Sequence, residues 1–219
     1  GASAAAITVN NSDGTCTANL TNKPNRNLII NGAMQIIQYG ASQASITSSG
    51  YYTIDRFRVA INTGTITASQ STDVPTGEGF ANSFKVDVTT ANNSLGGTDF
   101  LHVQQAIEGQ DLQNLAYGTS GAKTITLSFF VKSNKTGIYC ICLEKRDNTR
   151  YDYTAEYTIS SANTWEKKTI TIAPDSNIQA SGGAIDNDNG KGFNLKFVLA
   201  AVGDRDNGVN NTWNAGTNH

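Results

Sequence analysis

A chain of 219 residues with 38% apolar side chains is long enough to bury a core without disulfide or metal staples. Its formal charge of -2 and lack of any basic cluster exclude the electrostatic footprint of a nucleic-acid binder. No apolar run approaches the ~18–20 residues a membrane-crossing helix needs, so no membrane insertion is expected.

Asn, Thr, Ser and Gly dominate, while helix formers are scarce and Met34 is the only methionine. Such a composition favours strands and turns. The opening, Gly1 to Ala6, has neither the positive segment nor the apolar stretch of a signal peptide, and it lacks an initiator Met. The chain is therefore expected to be processed or to belong to a longer polypeptide.

Residues 1–27 read as a short N-terminal β extension. Ile7-Thr8-Val9 and Thr15-Cys16-Thr17-Ala18 flank a turn at Asn11-Ser12-Asp13-Gly14. Such a hairpin has little to bury against itself and is marginal alone, so it is expected to lean on the main domain or a neighbouring subunit. From residue 28 to 219 the pattern is one domain of strand-length segments divided by Gly, Asn and Asp. These are Asn27–Gln38, Tyr52–Ala60, Thr65–Gln70, Ser83–Thr89, Lys123–Lys132, Gly137–Glu144, Tyr151–Ile159, Glu166–Ile172 and Phe193–Val202. Phe84, Val86 and Val88 share a face opposite Lys85 and Asp87. Ile125, Leu127, Phe129 and Val131 do the same against Thr124, Thr126, Ser128 and Phe130. Val103–Leu115 breaks the pattern and reads as irregular or one short helix. The expected fold is an all-β antiparallel sandwich.

Cys140 and Cys142 lie two apart in a strand and cannot bridge within it, so they read as buried thiols kept reduced. With only His102 and His219 available, no metal site is expected, and no cofactor is implied. Asp186-Asn187-Asp188-Asn189-Gly190 and Asp204-Arg205-Asp206-Asn207-Gly208 offer paired carboxylates, but glycine falls at position five and no bidentate Glu follows. Both read as Asn-Gly turns about 40 Å apart along an intervening strand at ~3.3 Å per residue. No Gly-x-Ser-x-Gly elbow accompanies His102. Glu144 and Glu166 sit beside lysines, where surface ion pairing is the simpler role, so the chain is read as non-enzymatic.

Tyr151, Tyr153 and Tyr157 share one face of their strand, and Phe130 adds an aromatic on a second face. They are either core or a platform on which sugar rings stack. In the second case Asn148, Arg150 and Asp152 supply polar contacts beside them.

One group of motifs carries a resemblance. Asn27-Leu28-Ile29-Ile30-Asn31-Gly32-Ala33-Met34, then Gln38, precede Tyr52-Thr53-Ile54-Asp55-Arg56-Phe57. Next come Gln105–Gly109, Leu127–Gly137 and Thr164–Ile172. This order resembles a domain of tail-fibre and other virion proteins of marine bacteriophages. It is also similar to carbohydrate-binding modules with a galactose-binding-like jelly roll. The resemblance spans roughly residues 27 to 213, but Tyr39 stands where the phage pattern has Arg, and no Gly-x-Gln-Leu-Glu-like run precedes Thr217-Asn218-His219. Met34 and Gln35 follow the Asn-Gly turn where calcium-holding modules place an acid, so the metal is not carried over.

The resemblance implies a jelly roll in a virion assembled in the host cytoplasm. The implied role is a tail-fibre or appendage domain for attachment to host-surface polysaccharide, with other virion proteins as partners. Phage fibres build shafts from three chains, which makes a homotrimer the expected oligomer. Alternatives are a ligand-free capsid decoration or head-fibre protein, and a carbohydrate-binding module of a polysaccharide-degrading enzyme.

Overall fold

Strand alternation organises the molecule. The computed structural model describes residues 7–9, 16–18, 27–202 and 210–215. It is mostly β, with 44% of residues in strands and 8% in helices, and its sheets are antiparallel, the arrangement of an all-β sandwich. The strands are β1 (Ile7–Val9), β2 (Cys16–Ala18), β3 (Ser42–Ile46), β4 (Arg58–Ile61), β5 (Thr65–Ser71), β6 (Ser83–Thr90) and β7 (Phe100–Glu108). They continue with β8 (Ile125–Val131), β9 (Gly137–Lys145), β10 (Tyr151–Ile159), β11 (Glu166–Ile172), β12 (Lys191–Ala201) and β13 (Trp213–Ala215). One helical turn, α1 (Ser176–Gln179), is capped by Asp175, whose carboxylate accepts from the Asn177 and Ile178 amides.

The largest sheet has the order β13-β10-β9-β12-β7-β4. Its inner face is apolar. Trp213, Tyr153, Leu143, Leu195 and Gln105 form one row across it, strand by strand, and Phe197 pairs with Ile141 and Val103 in another. Two smaller sheets supply the opposing layer. The β11-β8 pair packs Ile170, Ile172, Leu127 and Phe129 against Tyr157, Ile141 and their neighbours. The β3-β5-β6 sheet closes a second cluster, Ile46, Ile66 and Ala68 against Val59, Ile61 and Leu101. Asp73 links the two, since it accepts from Trp165 Nε1 at 2.9 Å and from Lys132 Nζ. β1 and β2 pair with each other as expected, Val9 opposite Cys16. The second Asp/Asn turn, at 204–208, lies outside the described residues.

Three expectations need correction. Asn27–Gln38 is a loop, not a strand, because Asn31 and Met34 adopt φ of 57° and 56° and Asn31 staples the turn. The Asn31 amide donates to the Ile36 and Asp55 carbonyls, and its oxygen accepts from the Gln35 and Ile36 amides. Gln105, 2% exposed, then stands in for a missing strand partner by bonding both the N–H and the C=O of Ile30. In the second segment, only Arg58 onward is strand, since an isolated turn precedes it.

The third correction is Val103–Leu115. It divides into the end of β7 and a 3-10 segment at Gly109–Leu115. A side chain at Gly109 would clash with the Asp186 carbonyl, so the 186–190 turn fixes that boundary.

The aromatic row of β10 is core. Tyr153 is 4% exposed with its ring 5.3 Å from Trp213, and Tyr157 packs on Phe129 and Tyr139. Removing the Tyr153 ring leaves a void beneath the sheet. Tyr153→Ala is expected to cost about 3–5 kcal/mol of unfolding free energy by denaturant titration. A loss below about 1 kcal/mol would show the ring to be peripheral.

A groove along the outer face of the large sheet

The same alternation that buries Tyr151, Tyr153 and Tyr157 sends their strand neighbours to the opposite face. Arg150 and Asp152 are therefore not beside the tyrosines but behind them. Asn148 sits at the β9–β10 turn with φ 50°, donating to the Ala184 carbonyl and to Asp186 Oδ1. Phe130, half-buried, meets Phe80 edge-on at 5.7 Å, with Lys167 Nζ 5.6 Å from its ring centre. Tyr151 is half-buried under Lys145, whose Nζ lies 5.3 Å from the ring. The seven expected contact residues thus fall on different surfaces, and Tyr153 and Tyr157 offer no open ring to a sugar.

What the outer face carries instead is a polar row. Asp152, Glu144 and Asn194 stand side by side on β10, β9 and β12; the next row holds Cys142, Lys196, Gln104 and Arg58. Glu144 is 3% exposed, which corrects the surface pairing expected of it. Lys196 Nζ and Arg150 Nη2 each approach its Oε1 at 2.6 Å, and Asn194 Nδ2 donates to its Oε2 at 2.8 Å. Arg150 also bridges to Asp152 at 3.2 Å. Burial opposes the charge on Glu144, but Lys196, Asn194 and Arg150 outweigh it and hold the carboxyl below its ordinary value. Gln104 Oε1 accepts from Asn194 and is bonded to His102 Nε2 at 3.0 Å. Cys142, a free thiol on this face, is pushed up to about 12 by burial. It is correspondingly inert.

Two hollows adjoin β7. The wider, about 510 Å³, is lined by Ile30, Ile36, Tyr39, Tyr51, Arg56 and Glu108 among others. Four of the nine large apolar side chains exposed among the described residues meet here: Ile30, Ile36, Tyr39 and Tyr51, with Tyr39 64% exposed. The Asn31 staple builds one wall, and Asp55 Oδ1 holds the Gln38 amide at 3.0 Å on its rim. Arg56 is held there at φ 73°, a costly conformation for a long side chain, only 3.8 Å from Glu108. The narrower hollow, about 190 Å³, is lined by Arg58, Arg146, Lys191, Lys196, Asn194 and His102 among others.

Sequence reasoning missed Tyr39 and Tyr51. They lie in loops, where no periodicity marks them, and become neighbours only through the fold.

Two further glutamates take part in hydrogen bonds. Glu166 accepts from the Ser160 and Ser161 amides and from Lys168, and Glu156 from Asn210. Among the described residues no group of three His, Cys, Asp or Glu side chains could hold a metal ion. No protein-family model, curated protein or solved structure matches this chain.

Glu144 sets an acid-side prediction. A carboxyl whose folded pKa is depressed stabilises the protein above its ordinary value of 4.5, and that contribution is lost as pH falls through the folded value. Glu144→Gln removes the carboxylate that Lys196 and Arg150 both meet and is expected to cost about 3–5 kcal/mol at pH 7. Denaturant titrations at a series of pH values should show this difference narrowing below pH 4.5. A difference independent of pH would contradict it.

Proposed function

We propose that this chain is a non-catalytic, glycan-engaging domain of a bacteriophage fibre or appendage, built as a galactose-binding-like jelly roll. One observation carries the binding half of this reading: exposed Tyr39 and Tyr51 share a cavity of about 510 Å³ with charged Arg56 and Glu108. An aromatic plane gives apolar contact to the C–H face of a sugar, while a few polar groups fix its orientation. A shallow wet site of this kind binds without chemistry. The virion half is supported by the ordered motifs from Asn27-Leu28-Ile29-Ile30-Asn31-Gly32 to Thr164–Ile172. In the structure Asn31 and Asp55 of those motifs brace the cavity wall.

The same reading includes a homotrimer. β1 and β2 form a two-stranded sheet of their own, and closed threefold symmetry would let each such hairpin bury against a neighbouring copy. Sedimentation equilibrium should return three times the chain mass; a monomer would contradict the assembly.

The binding half is tested on a glycan array with Tyr39→Ala. The substitution is expected to weaken binding by about 1–2 kcal/mol, a modest hot spot, with the melting temperature unchanged. Undiminished binding by the variant, or no glycan bound by the native chain, would overturn it.

A further inference from the structure

We propose that the narrower hollow on the outer sheet face holds the acid group of an acidic sugar, so that the groove recognises uronate-bearing or sulfated glycans rather than neutral ones. This inference rests on the glycan reading of the wider cavity and names its ligand class.

Charge is the first observation. Arg58, Arg146 and Lys191 line a space of about 190 Å³. Among the described residues no carboxylate lies within ion-pair distance of Arg58 or Lys191. Arg146 reaches only Glu144, at 3.9 Å. Glu144 is already neutralised by Lys196 and Arg150 at 2.6 Å each. The lining of the hollow thus brings Arg58, Arg146 and Lys191 together beside the Lys196–Glu144 pair. Gathering cations in a concave, partly desolvated site costs energy that an anion recovers.

A buried acceptor is the second. Asn194 is 6% exposed, and while its Nδ2 donates to Glu144 and Gln104, its Oδ1 has no hydrogen-bond partner among the described residues. Buried carbonyl oxygens are rarely left this way. An anion cannot satisfy it, but a hydroxyl donor can. A ligand carrying hydroxyls beside an acid group meets both demands at once. A nucleic-acid backbone is disfavoured, because these cations are confined to a hollow and form no stripe.

Continuity is the third. Lys191 lines both hollows, and the outer face of β7 runs from Glu108 and Ala106 in the wider one to Gln104 and His102 in the narrower. Six residues of strand span roughly 20 Å at ~3.3 Å per residue, the reach of a short oligosaccharide. The narrow end is smaller than a drug-sized pocket and has room for one ring. Tyr39 and Tyr51 would then hold the neutral part of the chain and Arg58, Arg146 and Lys191 its acid.

The test titrates the full chain with galacturonate, mannuronate and sulfated galactose oligosaccharides and with their carboxyl-reduced or desulfated counterparts. At least one acidic member should bind about tenfold more tightly than its neutral partner, the yield of one charge-assisted hydrogen bond. That preference should shrink with added salt. Which member wins separates carboxylate from sulfate recognition. Arg58→Ala and Arg146→Ala, both solvent-reachable positions that line only the narrower hollow, should erase the preference while leaving neutral binding and melting temperature intact. Equal binding of acidic and neutral members, lost in Tyr39→Ala, would overturn this inference and leave the glycan reading standing. Binding by neither class would overturn both, and a preference that survives Arg58→Ala and Arg146→Ala would overturn the assignment of the acid to this hollow.

Discussion

The two-residue period of the β-strand commits every side chain of the six-stranded sheet to one of two faces, and everything else follows from how those faces are filled. The inner face takes Tyr153, Leu143, Leu195 and Phe197 and meets two smaller sheets. The outer face takes Asp152, Glu144, Asn194, Lys196 and Gln104, two adjacent rows of polar groups nearly excluded from solvent. A face of this kind needs internal neutralisation, and Glu144 with its two close cations provides it. Through Glu144 the polar face also holds Asn194, whose amide donates to it.

The core strands were readable because their faces differ. β10 and β11 match the sequence-based segments residue for residue, and β8, β9 and β12 match within a few residues at their ends. β7 was not, since Leu101 to Gln105 are buried on both faces and show no alternation. β3 was missed for the opposite reason: four of its five residues are exposed, and little but Ile46 anchors it. β13, three residues long, pairs with β10 through long-range contacts that no local pattern announces. The Asn27–Gln38 run looked extended because of Leu28, Ile29 and Ile30, yet side-chain bonds from Asn31 and Gln105 decided its path.

Site residues were legible only where chemistry coincided with periodicity. Tyr151, Tyr153 and Tyr157 caught the eye because they recur in step, and recurring in step is how core residues are placed. Tyr39, Tyr51 and Arg56 have no rhythm in sequence. They meet because loops from separate segments converge beside β7. Arg150 and Asp152 were expected beside the tyrosines, but the alternation that singled out those tyrosines places them on the far side of the sheet, on Glu144.

The claim at the centre is that the accessible aromatic surface lies at Tyr39 and Tyr51 and not on β10. Nitration of the native protein with tetranitromethane, mapped residue by residue by mass spectrometry, measures this directly. Tyr39 and Tyr51 should be modified first, with Tyr117, Tyr153 and Tyr157 protected until the protein is unfolded. Modification of Tyr153 or Tyr157 at the rate of Tyr39 in the folded state would contradict the assignment of the two faces.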